Sequence, residues 1–159
     1  GTFADLLLPP ALVGALAACG WRTPSPVQAA ALPPCRAGGD CIVQAKAGTG
    51  KTAVFAAVLL ERAVPTAPKP QALVLAPTRE IAQQSRDIID RLARHLPAER
   101  RVACRAFVGG LPLAADRAAL GSSAPCQLIV GTPGRVRALL MANELRCDFV
   151  RTLVLDEAD

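Results

Sequence analysis

The sequence predicts an α/β fold in which helices cover both faces of a parallel sheet. Three observations lead there. Short continuous apolar runs, Ala72-Leu73-Val74-Leu75 above all, have the composition of strands buried on both faces. They alternate with segments of helical periodicity, such as Arg79 to His95, where Ile81, Ala82, Ile88, Ile89, Leu92 and Leu96 recur at helical spacing. A glycine-rich stretch, Ala45 to Thr52, stands between the apolar run Cys41-Ile42-Val43 and the longer one from Ala53 to Leu60. That is the strand–loop–helix layout of a phosphate-binding loop.

Taken in order, Pro9-Pro10 opens a helix over Ala11 to Cys19, which Gly20 stops. Ser25-Pro26 supplies the cap and first turn of a second helix, Val27 to Leu32, ended by Pro33-Pro34. Gly38-Gly39-Asp40 turns into a first strand, Cys41 to Gln44. Thr52 to Ala63 is apolar nearly all round and predicts a buried helix. Strands follow at Ala72 to Leu75, Val102 to Val108, Cys126 to Val130 and Thr152 to Leu155. Helices over Arg79 to His95, Ala114 to Leu120 and from Gly134 or Arg135 to Asn143 separate them. In such sheets ligands bind beyond the carboxyl ends of the strands, and each motif below follows a strand or opens a helix.

The 159 residues suffice for one domain with a real core, and about half are apolar, which excludes disorder as a class. No apolar stretch is long enough to span a bilayer, and Gly1-Thr2-Phe3-Ala4-Asp5 lacks the basic lead of a signal peptide. The net charge of +5, mostly arginine, permits an anionic partner without proving one. The six cysteines contain no Cys-x-x-Cys pair. They are read as reduced residues of an intracellular protein of the cytoplasm, the nucleus or both, without a zinc site. His95 ends an amphipathic helix, an ordinary surface position.

The loop Ala45-Lys46-Ala47-Gly48-Thr49-Gly50-Lys51-Thr52 carries the first chemistry. A triphosphate needs several backbone N–H groups aimed at it, and Gly48 and Gly50 let the backbone come close. A helix starting near Lys51 adds free N–H groups and its positive dipole end. Lys51 would reach the β- and γ-phosphates, and the Thr52 hydroxyl would ligate Mg²⁺. The general pattern begins with glycine, and here Ala45 stands in its place.

A second constellation is Asp156-Glu157-Ala158-Asp159, directly after Leu153-Val154-Leu155. A carboxylate at the end of a buried strand, downstream of a phosphate loop, is placed to hold Mg²⁺. Asp156 would do so through the ion's water shell. Glu157 would orient or deprotonate the attacking water. A third stretch, Gly20 to Gln28, offers an aromatic ring in Trp21, a rigid turn and the Gln28 amide, which can donate to and accept from an adenine edge. Pro77-Thr78-Arg79-Glu80, Gly109-Gly110 and Thr132-Pro133-Gly134-Arg135 follow strand candidates. Each offers backbone N–H groups, a hydroxyl or a guanidinium suited to a phosphodiester backbone. Alone, each of these three is a turn with a helix cap.

Together and in this order the stretches resemble the first RecA-like domain of the DEAD-box RNA helicases, across essentially the whole chain. The resemblance implies a P-loop NTPase fold with ATP and Mg²⁺ as ligands. Lys51, Asp156 and Glu157 would be its catalytic residues. Phe3, seventeen residues before Gly20, stands at the family's upstream aromatic. With Trp21, Thr23 and Gln28 it would border the adenine. Thr23 replaces a residue that is often basic in the family, and Ala47 replaces a common serine. Pro77, Thr78, Arg79, Gly109, Gly110, Thr132, Pro133, Gly134 and Arg135 would lie along single-stranded or duplex RNA. Val43-Gln44-Ala45-Lys46, Pro24 to Gln28 and Phe107 to Leu113 look most like the subfamily of the survival-of-motor-neuron complex, which implies ribonucleoprotein-assembly partners. The family's Ser-Ala-Thr motif and its second RecA-like domain, which carries the arginine finger, are not in these residues. The reading is the ATP-binding half of an ATP-dependent RNA helicase. The alternatives are an ATP-binding module without catalysis, or a DNA-directed P-loop translocase.

Overall fold

The computed structural model describes residues 1–110, 112–121 and 126–158. The described chain forms two compact units, one of Gly1–Arg62 with Ile88–Arg101, the other of Ala63–Asp87 with Val102–Asp159.

The first unit is helical. A 3₁₀ turn, Ala4–Leu6, precedes α1 (Pro10–Ala18), α2 (Pro26–Arg36) and α3 (Lys51–Arg62). The second half of α4 (Arg79–Arg94) also belongs to this unit. Leu12, Ala15 and Leu16 of α1 are buried, as are Ala31 and Leu32 of α2. On α3, Ala53, Val54 and Ala56 through Leu60 are buried, as its all-round apolar sequence predicts. α2 packs on α3, and the 3₁₀ turn packs on α2. Arg36 joins all three. Its Nε and Nη2 donate to the Glu61 carboxylate at 2.6 and 2.7 Å. Its Nη1 and Nη2 also donate to the Leu6 and Leu7 carbonyls, both at 2.9 Å. A planar guanidinium can fill both jobs because its donors form a fixed fork.

Two expectations fail here. α2 runs on through Pro33 and Pro34 to Arg36. The prolines remove two helical donors, but their carbonyls still accept from the Ala37 N–H, so the last turn closes. Residues Cys41 to Gln44 do not form a strand. A strand requires a ladder partner, and among the described residues of this unit there is no strand to join. Ile42 is fully exposed as a result.

The second unit holds a four-stranded, all-parallel sheet of β1 (Ala72–Leu75), β2 (Cys104–Phe107), β3 (Leu128–Gly131) and β4 (Thr152–Leu155). The order is β2-β3-β1-β4. Ala72 pairs with both Leu128 and Thr152, Leu75 with both Gly131 and Leu155, and Phe107 with Gly131. Parallel pairing requires long crossovers, and α5 (Leu113–Gly121) and α6 (Pro133–Met141) lie in two of them. One face of the sheet supplies Leu73, Phe107 and Ile129 to a buried cluster with Val136, Leu139 and Leu145. Leu113, Ala119 and Leu120 of α5 pack against it.

β1 and β3 are buried, as their continuous apolar runs predict. β4 is not. Only its β1 side is paired, and Leu153 and Leu155 are 58% and 59% exposed. Its apolar sequence suits a central strand, while its position among the described strands is an edge.

Candidate functional site

In the helical unit the predicted phosphate loop is set by glycine conformations and by two side-chain contacts to its own carbonyls. Gly48 and Gly50 have φ of 76° and 99°, a region that favours glycine. A Cβ on Gly48 would meet nothing within 4 Å, so the loop stands open on that side. Thr49 Oγ1 donates to the Lys46 carbonyl at 2.7 Å, and Lys51 Nζ donates to the Ala45 carbonyl at 2.5 Å. The lysine ammonium thus closes the loop across its own base. α3 begins at Lys51, so its first N–H groups and positive dipole end belong to the same turn. Lys46, Ala47 and Gly48 are exposed, whereas Ala45, Thr49, Lys51 and Thr52 are half-buried. An ammonium, open amides and a hydroxyl form a donor set that fits a polyphosphate.

The Gln28 amide is tied to this loop. Ser25 and Gln28 form a capping box at the start of α2, in which the Ser25 N–H donates to Gln28 Oε1 at 2.9 Å. Gln28 Nε2 donates to the Gly50 carbonyl at 3.3 Å, and Ser25 Oγ donates to the Thr49 carbonyl at 2.8 Å. A Cβ on Gly50 would sit 2.4 Å from Gln28 Nε2. Gln28 is buried, and each polar atom of its amide has one partner here and capacity for a second. Trp21 is half-buried and Thr23 exposed. Phe3 is 2% exposed, so its ring is core rather than an open stacking platform.

In the sheet unit the expected motifs gather at the carboxyl ends of the four strands. Pro77 and Thr78 follow β1, Gly109 and Gly110 follow β2, Thr132 follows β3, and Asp156 and Glu157 follow β4. Parallel register brings all four ends to one edge of the sheet. Thr78 Oγ1 accepts from the Ile81 N–H at 3.3 Å and caps α4. Arg79 opens that helix and reaches Gly110, where a Cβ would lie 2.4 Å from its Nη1. Gly110 also has φ of 88°, so glycine is required there twice over. Pro133 and Gly134 are exposed in the first turn of α6.

Arg135 does not stand open on this edge. Its Nη1 donates to Asp116 Oδ2 at 2.9 Å in a pair whose side chains are only 9% and 10% exposed. Asp156 is half-buried, its N–H donates to the Leu75 carbonyl at 2.9 Å, and its Oδ2 accepts from Ser85 Oγ at 3.2 Å. A partly hydrated carboxylate is the donor type a hard divalent cation takes. Glu157 is exposed at φ 49°, a left-handed conformation that costs a non-glycine residue about 1–3 kcal/mol. Asp159 lies outside the described residues.

Sequence reasoning missed Asp116 and Ser85. Each left a signal. Asp116 is a carboxylate on an otherwise mostly apolar short helix, and Ser85 interrupts the apolar stripe of α4. Both are buried.

Comparison with known proteins follows the same residues. The DEAD/DEAH box helicase profile matches residues 25–159. The chain is 42% identical to the ATP-dependent RNA helicase SUB2 of Chaetomium globosum, covering 99% of this chain and 36% of that protein. It is 41% identical to the probable ATP-dependent RNA helicase DDX20 of Mus musculus, covering 99% of this chain and 18% of that one. Among solved structures, a DEAD box protein from the hyperthermophile Methanococcus jannaschii superposes with a TM-score of 0.87 at 30% identity, over 99% of this chain and 42% of that one. Saccharomyces cerevisiae Dbp5 bound to RNA and ADP BeF3 gives 0.82 at 30% identity, over 99% and 38%. The chain therefore spans about a third of SUB2 and less of DDX20.

Proposed function

The chain belongs to the DEAD/DEAH box helicase family, and from that membership we propose that it is the first RecA-like, ATP-binding part of an ATP-dependent RNA helicase. The observation that carries the proposal is the phosphate loop: Gly48 open, Gly50 fixed by Gln28, and Lys51 at the mouth of a helix N-terminus. Lys51 would exchange the Ala45 carbonyl for phosphate oxygens, and the loop amides would hold the rest of the polyphosphate. Gln28 would use the second capacity of its amide on adenine. Thr52 and Asp156 are the residues assigned to Mg²⁺, which when bound neutralises phosphate charge. Glu157 is assigned to the attacking water.

RNA is assigned to the strand-end edge of the sheet. Arg79, with the turns at Gly109-Gly110 and Thr132-Pro133-Gly134, suits contacts to phosphates, which hold a strand without reading its bases, and Arg135 would add its charge from within its pair with Asp116. SUB2 and DDX20, an ATP-dependent RNA helicase and a probable one, support RNA over DNA. Ribonucleoprotein assembly is the partner class proposed, supported by the likeness to DDX20. The compartment proposed is the cytoplasm, the nucleus or both. No helix among the described residues is long and apolar enough to cross a membrane.

The test is ATP hydrolysis by the full-length protein with single-stranded RNA, single-stranded DNA or neither. Stimulation by RNA alone supports the proposal. Equal stimulation by DNA makes it a translocase of another class, and nucleotide binding without turnover under any condition makes it a binding module.

A further inference from the structure

The end of α2 and the segment leading to the phosphate loop bring two thiols together. Cys35 is the penultimate residue of α2, and Cys41 follows the turn Ala37 to Asp40. Gly38 has φ of 98°, which folds the chain back. Both cysteines line one open groove of about 400 Å³, bounded by α2 on one side and residues 41–45 on the other. Both are thiols, Cys41 exposed and Cys35 half-buried. The Cys41 thiol donates to the Gly39 carbonyl at 3.6 Å and lies near enough to the Cys35 thiol to disfavour its ionisation.

We propose that Cys35 and Cys41 are a thiol-oxidation site that a hydroperoxide converts to an intrachain disulfide. The two cysteines line one groove, six residues apart across a glycine turn, and their sulfurs need to close to a bond of about 2.05 Å. Gly38 and Gly39 between them have open space around their Cα atoms, so the turn has room to adjust. Exposure decides the order of events. The Cys41 thiolate attacks one peroxide oxygen, the O–O bond breaks, and Cys41 becomes a sulfenic acid while the other oxygen leaves as water. The Cys35 sulfur then attacks the Cys41 sulfur, the S–O bond breaks, and the hydroxyl leaves as a second water with the Cys35 proton. The thiol pair loses two electrons and two protons, and the peroxide gains them. Burial, and then the contact with Cys41, push the Cys35 thiol up to about 11, which keeps Cys35 from being the first to react. The nearby Arg62 opposes that shift and favours the Cys35 thiolate when its turn comes.

The bond would fasten residues 41–45, and so the base of the phosphate loop, to the end of α2. The chemistry does not depend on what the loop binds, so its test does not depend on the nucleotide reading.

The test is peptide mapping after treatment of the native protein with hydrogen peroxide, alkylation of remaining thiols and tryptic digestion without reductant. Trypsin cuts after Arg22, Arg36 and Lys46, so the expected product is peptide 23–36 joined to peptide 37–46, about 2 Da lighter than the two reduced peptides. Cys41→Ser should abolish it. Cys35→Ser should leave a sulfenic acid on Cys41 that dimedone traps. Without any variant, a trivalent arsenical should protect the same two residues from alkylation. Both cysteines still alkylatable after peroxide, Cys41 carried to the sulfinic acid beside an untouched Cys35, or Cys41 joined to a different cysteine would each overturn the proposal.

Discussion

The Gln28 amide nitrogen donates to the Gly50 carbonyl at 3.3 Å, and a single added carbon on Gly50 would lie 2.4 Å from it. The capping box of α2 and the phosphate loop are therefore one hydrogen-bonded unit. A change at either residue is felt at the other.

Gly50→Ala is expected to fail on two counts, its φ of 99° and the collision with Gln28. The backbone strain alone is about 1–3 kcal/mol. Thermal melting should fall accordingly, and ATP affinity, read by fluorescent-nucleotide titration, should drop more than tenfold. Unchanged affinity would mean the loop does not bind through this turn.

Gln28→Glu separates the two jobs of the amide. The carboxylate can still accept from the Ser25 N–H but repels the Gly50 carbonyl in place of donating to it. One lost hydrogen bond contributes roughly 0.5–1.5 kcal/mol, so ATP should bind about tenfold more weakly. A competition titration should also show that the native protein prefers ATP to GTP and that the variant has lost the preference. Equal affinities in the native protein would remove the adenine role of Gln28.

Lys51→Ala should abolish nucleotide binding while leaving the fold intact. Its ammonium donates to the Ala45 carbonyl, and losing a hydrogen bond of that kind costs about 1 kcal/mol. A far larger fall in melting temperature would make Lys51 a structural residue instead.

Asp116→Asn tests the strand-end edge. Breaking a buried ion pair by neutralising one partner costs about 3–5 kcal/mol in a fully buried setting, which is an upper bound for this pair. Arg135 would lose its orientation, so anisotropy with poly-U should show weaker RNA binding while ATP affinity holds. Native binding should weaken with salt at a slope of about −0.7 per phosphate contacted. Loss of ATP and RNA binding together would indicate general unfolding.

Cys126 gives a pH prediction. Burial pushes its thiol up from the ordinary 9.0 to about 11. The folded state thus holds the proton more tightly than the unfolded one. Its contribution is complete below pH 9 and is lost as pH rises through about 11. Two pKa units correspond to about 2–3 kcal/mol. Urea melts of native protein and Cys126→Ala should converge over that range, and parallel curves would show that burial does not act on this thiol.

Where a signal was local, the sequence was readable. β1 begins and ends where its apolar run does, because four continuous apolar residues between breakers admit few other readings, and β4 has the bounds Thr152 to Leu155 that its sequence predicts. Ser25 caps α2 as its type and the following proline require. Pairing is not local, and there the reading failed. Cys41 to Gln44 has strand composition without a ladder, and Leu153-Val154-Leu155 has the composition of a central strand at an edge. Side-chain partners across elements were equally hidden: nothing near Arg135 in sequence announces Asp116.

The first of the described strands has neighbours on both sides, and both neighbours come later. During synthesis Ala72 to Leu75 emerges long before Leu128 and Thr152, its eventual partners. The helical unit cannot be completed before Arg101 has emerged, because it needs Ile88–Arg101. A nascent chain of this protein therefore exposes an apolar, hydrogen-bond-hungry segment until Leu128 to Gly131 and Thr152 to Leu155 have emerged. Slow elongation lengthens that exposure rather than helping the sheet to form, and a chaperone that shields Ala72 to Leu75 would raise the yield of folded protein.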